Sequence, residues 1–283
     1  MTPPVIHPLN CATMCPRAAT KLGIVDPAAG ALVAHCLLIE GADGLILVDT
    51  GFGTGDIADH KRLGPVRLLT GPVFDPAEAA IEQIKALGHS PGDVRHIVVT
   101  HLDLDHAGGI GDFPKAQVHV HRTELAAALH PTRRTAPRYR SAHWAHGPDW
   151  VEHDPQAGDS WNGFPSAKLL EGTGVEIALI ALHGHTAGHS GVAVNTGDRW
   201  LVHAGDAYLD PGEIETPQRT THGRSIYHRI NSVDEKLRRE NVARLAELRR
   251  EHPDDVTVFC AHDPRELEHV RTLTAQVESA TNA

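Results

Sequence analysis

The feature that most constrains this chain is a block of imidazole and carboxylate side chains directly after an apolar strand. Residues Val94–Thr100 read VRHIVVT, and the last four are apolar or β-branched, which is typical of a buried strand. The next residues are His101-Leu102-Asp103-Leu104-Asp105-His106-Ala107-Gly108-Gly109. Alternate residues of an extended chain share one side, and the glycine pair would let the backbone turn and return His106 to that side. Four potential metal ligands are therefore expected to converge.

The composition is that of a globular protein with many potential metal ligands. The chain has 283 residues, of which 41% are apolar and 22 are histidines, and imidazole is the commonest metal ligand. A net charge of −10 with histidine neutral argues against nucleic acid as a partner. No apolar stretch approaches the roughly 18 residues that span a bilayer, and the first ten residues lack the pattern of a secretory signal. We therefore expect a cytoplasmic protein with no nucleic-acid and no membrane partner.

The domain organisation is predicted from strands that end in His or Asp in both halves of the chain. No low-complexity linker separates these halves, so a single domain over residues 1–283 that contains two sheets is favoured over two independent domains. Four cysteines in a chain of this length give no disulfide framework, and they are interpreted as reduced thiols.

Turn and capping signals predict the elements that surround the polar block. The predicted elements of the first half are a hairpin over residues 31–48, a helix that begins at Asp75 and stops at Gly88, a strand Gln117–His121 and a helix Arg122–Leu129. Those of the second half are strands over 168–170, 175–182, 191–195, 199–203 and 256–260, a helix capped by Ser232 that runs from Val233 to about Glu251, and a last helix opened by Asp263-Pro264.

The segment 130–166 has no clear periodicity, and it is expected to be a lid or insertion within the domain. It is rich in aromatic residues and arginine: Tyr139, Trp144, Trp150, Trp161, Phe164, Arg133, Arg134, Arg138 and Arg140. The arginines could meet a carboxylate or phosphate. The aromatic side chains could line an apolar substrate or pack the segment onto the core, and the sequence leaves both interpretations open.

Five blocks of this sequence resemble the metallo-β-lactamase superfamily. The polar block is similar to its signature H-x-H-x-D-H-x-G-G, with Asp103 in place of the second His. The other blocks, in the family's order, are Val48-Asp49-Thr50-Gly51, Gly184-His185-Thr186-Ala187-Gly188-His189-Ser190, Ala204-Gly205-Asp206-Ala207 and Ala261-His262-Asp263. The resemblance spans roughly residues 31 to 280. It implies an α/β (α+β) fold, an αββα sandwich of two mixed β-sheets flanked by helices.

The resemblance also implies a dinuclear metal centre with seven protein ligands. The implied sets are His101, Asp103 and His185 for one ion, Asp105, His106 and His262 for the second, and Asp206 as the bridge. Two divalent ions about 3.5–4 Å apart can hold a shared hydroxide at neutral pH and polarise the carbonyl that it attacks. Such a site needs no serine or cysteine nucleophile.

Three further side chains are given roles beside these ligands. Asp105 is expected to orient the hydroxide and pass a proton to the leaving group. Tyr208 could reach a substrate oxygen, although lactonases of the superfamily place a tyrosine one residue later. Asp49 either holds a ligand histidine or only forms a turn. His189 is expected to be structural rather than a ligand.

The carboxylate at position 103 bears on the identity of the metal. With Asp103, Asp105, Asp206 and a hydroxide, two divalent ions would form a neutral assembly, whereas a histidine at position 103 would leave one positive charge. Carboxylate is a harder ligand than imidazole, which shifts preference toward manganese or iron. We expect two divalent ions, with zinc first and iron or manganese as alternatives.

The expected activity is hydrolysis of a lactone or another ester-like bond of a small molecule. A thioesterase and a β-lactam hydrolase use the same chemistry and remain alternatives. An iron-dependent oxidoreductase of the same superfamily is a further one, because diiron members carry an acidic residue at the position of Asp103. A monomer or homodimer is expected.

Overall fold

A computed structural model of the protein describes residues 3–155, 160–169 and 173–281, and its strands form two mixed six-stranded sheets. The first sheet contains β1 (Ile6–Met14), β2 (Leu32–Gly41), β3 (Gly44–Val48), β4 (Val94–Val98), β5 (Gln117–His121) and β6 (Asp149–His153), in that order. The second has the order β12-β11-β10-β9-β8-β7, with β7 (Ser160–Trp161), β8 (Phe164–Leu169), β9 (Ile177–Ala181), β10 (Ser190–Asn195), β11 (Trp200–His203) and β12 (Val256–Phe259). Pairs β3–β4, β4–β5, β5–β6 and β11–β12 are parallel and the other neighbours are antiparallel.

The helices lie between and after these strands. They are α1 (Arg17–Lys21), α2 (Thr54–Ala58), α3 (Arg67–Thr70), α4 (Ala80–Ala86), α5 (Leu104–Ala107), α6 (Arg122–Leu129), α7 (His222–Asn231), α8 (Glu235–Glu251) and α9 (Pro264–Thr281). Over the residues that the structure describes, none of these helices is long and apolar enough to span a membrane.

The core is divided into layers, as the sandwich predicted from the sequence requires. One apolar cluster joins the inner faces of both sheets, with Ile46 and Val98 from the first sheet and Leu179 and Val192 from the second. A second cluster lies on the outer face of the first sheet, and it includes Ile84 of α4 and Leu125 of α6. A third places Val242 and Leu245 of α8 against the second sheet. The predicted αββα architecture of two mixed sheets is confirmed.

Several predicted elements are confirmed, and two helix starts are wrong. The hairpin, the strand Gln117–His121 and the helix Arg122–Leu129 are present as predicted. The helix expected from Asp75 is instead a 3-10 turn Pro76–Glu78 followed by α4, because Glu78 binds Thr13 and Asn10 rather than closing a capping box. The helix expected from Val233 begins at Glu235, because the side chain of Asp234 accepts the bond from Leu237 N (3.0 Å) that caps it.

The segment 130–166 is divided between a loop and both sheets. Residues 149–153 form β6, the edge of the first sheet, and residues 160–166 supply β7 and the start of β8, while residues 156–159 lie outside the described part. Tyr139 and Trp144 are buried in the cluster on the outer face of the first sheet, and Trp161 packs against the core of the second. These aromatic side chains therefore pack the segment onto the core. The loop proper is residues 130–148.

The two sheets bring the ends of five strands to one edge of the sandwich. Asp49 follows β3, His101 follows β4 after two residues, and the remaining sites follow β9, β11 and β12. Residues at the carboxyl ends of these strands lie in loops, where side chains are free to converge while the sheets hold their backbones. This edge is where the polar blocks of the sequence meet.

Candidate metal centre

The polar block after β4 combines an extended stretch with one helical turn. Asp103 is extended (φ −67°, ψ 158°), and the chain then enters α5 at Leu104, so Asp105 and His106 lie on a helix rather than on an extended strand. The fully extended arrangement expected from the sequence is therefore wrong. The glycines also act differently from the expectation. Gly108 has a helical φ of −58°, and a Cβ there would lie 2.7 Å from the oxygen of Gly51. The pair is needed for close approach of two loops, rather than for an unusual dihedral angle.

Three loops of the second sheet bring the other ligands to this block. His185 lies in the turn between β9 and β10, Asp206 follows β11, and His262 follows β12. All three are buried. Their loops come from sequence positions far from the block, so the site exists only when both sheets are assembled.

The seven side chains converge in two groups that Asp206 joins. His101, His185 and Asp206 place one donor atom each within 4.8 Å of one another, and Asp105, His106 and His262 do the same. The two carboxylate oxygens of Asp206 face different groups. Oδ2 lies 3.4 Å from His185 Nε2, and Oδ1 lies 3.2 Å from His106 Nε2 and 3.0 Å from His262 Nε2. The structure thus brings together the two sets that the resemblance implied, with Asp206 between them.

Asp103 belongs to the first of these groups. Its Oδ2 lies 3.2 Å from His185 Nε2 and 3.5 Å from His101 Nε2. Asp105 contacts the second group, where its Oδ2 is 3.6 Å from His262 Nε2. The side chain of Asp105 is 15% exposed, more than those of Asp103 and Asp206. Asp105 is therefore the carboxylate most accessible to a substrate.

The donor atoms fit divalent metal ions. Among the described residues, His101 Nε2, His106 Nε2 and Asp206 Oδ1 are buried and form no hydrogen bond, and their neighbours within 4.0 Å include other donor atoms of the same site. Buried polar atoms without partners are costly, and several that converge on one point indicate a missing cation. Two imidazoles and a carboxylate on each side suit zinc, iron or manganese.

Two of the predicted ligand histidines have their other ring nitrogen held by the surrounding chain. His106 Nδ1 donates to Asp49 Oδ2 (2.8 Å), and His262 Nδ1 donates to the carbonyl of Val33 (2.7 Å). Asp49 also accepts from the backbone N of Thr100 (2.7 Å). A proton fixed on Nδ1 leaves the Nε2 lone pair of each ring directed into the site. Asp49 thus holds a histidine of the site and does more than form a turn.

Two further histidines near the site have partners outside the two donor groups. His189 Nδ1 donates to the carbonyl of Leu182, and its Nε2 accepts from the backbone N of Asp206 (2.9 Å), so both ring nitrogens are occupied. His203 bonds to the carbonyl of His35 and to Gly205 N. His189 therefore positions the backbone at Asp206.

The electrostatics of the site are dominated by its carboxylates. Burial alone would lower the pKa of His106, but Asp206 and Asp49 together hold that pKa well above its usual value. Burial also opposes the protonated form of His262, and Asp206 outweighs it and raises the pKa of His262 to about 9. Two imidazoles that would be protonated beside one carboxylate mark a site with strong attraction for positive charge, as a cation site must have.

Arg138 is the main feature of the site that the sequence did not single out. Its Nε lies 3.0 Å from Asp103 Oδ1, Nη1 donates to the carbonyl of His185 (3.0 Å), and Nη2 lies 3.3 Å from His185 Nε2. Burial would raise the pKa of Asp103, but Arg138 and His101 hold that pKa well below its usual value. The sequence offered four arginines in this segment and no spacing signal to choose among them. An acid where the family has an imidazole was the indirect signal, because such an acid needs a cationic partner when it is buried.

Glu124 connects the loop after β4 to the loop after β9 through hydrogen bonds. Its Oε1 accepts from Leu102 N (3.0 Å) and its Oε2 accepts from Gly188 N (3.0 Å) and from the hydroxyl of Thr186 (2.6 Å). The side chain is fully buried on α6. One carboxylate therefore fixes the loop after β4 against the loop after β9. No motif in the sequence indicated this role.

The structure does not place Tyr208 with the seven ligands. Its side chain is fully buried, and its hydroxyl donates to Glu266 at 3.1–3.2 Å. Tyr227 on α7 is half-buried and lies close enough to the centre that, after burial itself, the charge of Asp206 is the largest influence that raises its pKa. Asp105 and Asp103 act on it in the same direction. Tyr227 is 21 positions from Asp206 in sequence, so no local motif pointed to it.

Comparisons with known proteins agree with this geometry. A family profile described as "Metallo-beta-lactamase superfamily" matches residues 29–245. The chain belongs to the metallo-β-lactamase superfamily. A curated protein of Mycobacterium tuberculosis, named "Probable metallo-hydrolase", is 46% identical over 264 residues, which cover 93% of this chain and 81% of that protein. This superfamily member is thus an enzyme of the metal-dependent hydrolase class, as predicted.

Lactonases occur among its more distant relatives. An N-acyl homoserine lactonase of Agrobacterium fabrum is 34% identical over 128 residues, which cover 44% of each chain. A solved structure of an N-acyl homoserine lactone hydrolase, with its product N-hexanoyl-L-homoserine bound at the catalytic metal centre, matches with a TM-score of 0.68 at 21% identity and covers 95% of this chain and 97% of its own. At that identity the structural match supports the fold of this superfamily member.

Proposed function

We propose that this protein is a dinuclear-metal hydrolase that opens a lactone or cleaves another ester-like bond of a small molecule. The observation that carries the proposal is the position of Asp206. Its two oxygens face separate groups of donors, and unpartnered nitrogens of His101 and His106 point at the same space. His101, Asp103 and His185 would hold one ion, and Asp105, His106 and His262 the other. Zinc suits the imidazole-rich set, with iron or manganese as alternatives.

When bound, the pair of ions supplies a hydroxide at neutral pH and polarises the substrate carbonyl. Asp105 is the most exposed of the three carboxylates, so it is proposed to be the one that a substrate contacts. It holds the proton that the attacking water gives up and delivers it to the alkoxide of the leaving group. This transfer requires hydrogen-bond distance between the carboxylate and each of these groups.

Arg138 restores the charge that Asp103 removes. With three carboxylates and a hydroxide, two divalent ions would form a neutral assembly. The guanidinium 3.0 Å from Asp103 Oδ1 adds one positive charge at its border. The assembly plus Arg138 then carries the same net charge as one with a histidine at position 103. Arg138 also comes from the 130–148 loop, so we propose that this loop borders the bound substrate.

The lactone is proposed as substrate because relatives named as N-acyl homoserine lactonases align with part of this chain. The hydroxyl expected from Tyr208 is instead proposed to come from Tyr227. Burial and the charges of Asp206, Asp105 and Asp103 raise the pKa of Tyr227, and a neutral phenol can donate to a substrate oxygen.

The test joins metal content to turnover. Purified, unchelated protein is analysed for zinc, iron and manganese, and is then assayed with lactones, thioesters, β-lactams and p-nitrophenyl esters, with and without chelator, beside an oxygen electrode. We expect close to two ions per chain and chelator-sensitive lactone hydrolysis. Asp206→Ala should abolish turnover, while Asp149→Ala on the exposed edge strand β6 serves as its control. Protein without bound metal, or near wild-type turnover by the Asp206 variant, contradicts the proposed centre, and oxygen uptake without hydrolysis contradicts the proposed reaction.

A further inference from the structure

A second group of metal-binding side chains lies at the opposite end of the first sheet. His7 is the second residue of β1, Glu40 is near the end of β2, and His89 follows α4. The three side chains each place one donor atom within 4.8 Å of the others. None of them belongs to the polar blocks of the sequence or to the metal centre described above.

The backbone positions of these residues are fixed by regular hydrogen bonding. His7 pairs with Leu38 across β1 and β2, and Glu40 lies on the same face of β2 two residues further on. The backbone N of Glu40 donates to the carbonyl of Val5 (2.9 Å), and His89 N donates to the carbonyl of Ile84 (3.1 Å). Two strands and a helix terminus therefore present the three side chains without a flexible loop. A ligand set on such elements loses little conformational freedom when it binds an ion.

The side chains are arranged around one point. His7 Nε2 lies 2.9 Å from Glu40 Oε1, and His89 Nε2 lies 3.2 Å from the same oxygen. Zinc–ligand bonds of about 2.0–2.2 Å at tetrahedral angles separate neighbouring donor atoms by about 3.3 Å. The two contacts are thus already close to the spacing of a shared ion. The side chains are 20%, 36% and 28% exposed for His7, Glu40 and His89, so solvent can reach the point between them.

We propose that His7, Glu40 and His89 form an additional binding site for a divalent transition-metal ion. Two imidazoles and one carboxylate are the ligand types that zinc prefers, and the access of solvent leaves a water to complete a four-coordinate shell. Nickel and copper also bind such sets. Without metal, His7 Nε2 donates to Glu40 Oε1 and His89 Nε2 lies 3.2 Å from the same oxygen. With metal, each Nε2 presents its lone pair, so the proton of a neutral ring moves to Nδ1, and a doubly protonated ring releases one proton as the ion binds.

This site is separate from the dinuclear centre. Glu40 pairs with Leu45 near the start of β3, whereas Asp49 follows the end of that strand. Four residues of extended chain span about 13 Å, and the ligands of the centre lie beyond Asp49. An ion bound at His7, Glu40 and His89 is therefore additional to those of the centre.

The test compares zinc binding to the metal-loaded wild-type protein and to variants of this site. Each protein is equilibrated with Zn²⁺, dialysed against a defined free Zn²⁺ concentration, and analysed by elemental analysis and isothermal titration calorimetry. The variants are His7→Gln and His89→Gln, with His222→Gln, an exposed histidine at the start of α7, as the matched control. Circular dichroism verifies the fold of each.

We expect the wild type and the His222 variant to bind one more zinc ion per chain than either site variant. The affinity for that ion, measured by titration calorimetry, should fall at least about tenfold when one imidazole is removed. Lactone turnover should stay the same in all four proteins. Equal zinc content in the wild type and both site variants overturns the proposal. Because the readout is a difference between variants, it holds whatever the content or activity of the dinuclear centre proves to be.

Discussion

Replacement of Arg138 by glutamine tests the charge balance of the metal centre. The substitution keeps a polar but shorter side chain and removes one positive charge beside Asp103. In the metal-free protein, Asp103 then has a buried carboxylate without its guanidinium. In the loaded protein, the ions take over that charge. The effect of Arg138→Gln on stability should therefore depend on whether metal is bound.

The magnitude follows from the geometry of the pair. The two charged atoms are 3.0 Å apart, and the side chains of Arg138 and Asp103 are only 16% and 11% exposed. At an effective dielectric constant of about 20, the attraction at that distance is about 5.5 kcal/mol. Desolvation offsets part of it, and breaking a buried pair from one side costs roughly 3–5 kcal/mol. For a chain of this size, that loss lowers the melting temperature by about 6–10 °C.

The assay is thermal unfolding of the wild type and variant, each with chelator and with saturating zinc. We expect the loss of about 3–5 kcal/mol with chelator to shrink to about 1 kcal/mol with zinc, since only the bond to the carbonyl of His185 is then missing. Arg140→Gln is the matched control. Arg140 lies two residues along the same loop, and its Nε donates to the carbonyl of Arg62 (2.8 Å). Its loss should be about 1 kcal/mol in both conditions.

An equal loss for the Arg138 variant with and without zinc would refute this reasoning, because it would mean that the guanidinium serves the fold alone. No loss under either condition would refute the pair itself.

Three further predictions concern single side chains around the site. Tyr227→Phe should slow lactone hydrolysis about 100-fold. Tyr208→Phe should leave turnover within about twofold and cost roughly 1–3 kcal/mol of stability, because the Tyr208 hydroxyl is bonded to Glu266. A larger loss of turnover in the Tyr208 variant than in the Tyr227 variant would count against Tyr227. Asp103→His should lower the stability of the metal-free protein by about 3–5 kcal/mol, because it leaves the charge of Arg138 unpaired. In urea unfolding, the double variant with Arg138→Gln should recover most of that lost stability. Additive losses from the two substitutions would exclude an energetic coupling between Asp103 and Arg138. Burial raises the pKa of Glu266 to about 7, so the stability that this group contributes is full below pH 4.5 and is lost as the pH rises through 7. In the chelated protein, Glu266→Gln should remove about 3 kcal/mol of the fall in unfolding free energy between pH 5 and 8. If the unfolding free energies of both proteins fall in parallel with pH, Glu266 is not the source.

The side chains that converge at the site could be named from the sequence because their types and spacing are local properties. A run of His and Asp directly after a buried strand is read from neighbouring positions, and the resemblance to one family adds the distant members Asp206 and His262. The backbone conformation of the polar block was harder to predict from the sequence. The turn at Asp105 is helical, since α5 begins at Leu104, and periodicity alone does not distinguish one helical turn from an extended stretch.

Side chains that act across the fold were missed for a different reason. Arg138 was one of four arginines in a segment without periodicity, and only the packing of that loop onto the core brings it to Asp103. Tyr208 and Tyr227 lie in different surroundings: the loop after β11 places the Tyr208 hydroxyl against Glu266, whereas burial and the charges of the site's carboxylates raise the pKa of Tyr227 on α7.

By itself, the sequence determined the chemistry that this protein can offer: seven donors of the types that bind divalent ions, placed where strands end. The types of these donors and their positions in the chain are given by the sequence itself, and the strand pattern follows from which side chains are apolar and become buried. The tertiary structure alone decided the charge and the acid–base partners of the site. Whether a buried carboxylate has a guanidinium, a hydroxyl or a histidine beside it depends on contacts between residues far apart in the chain, and these distances exist only after the two sheets have packed together.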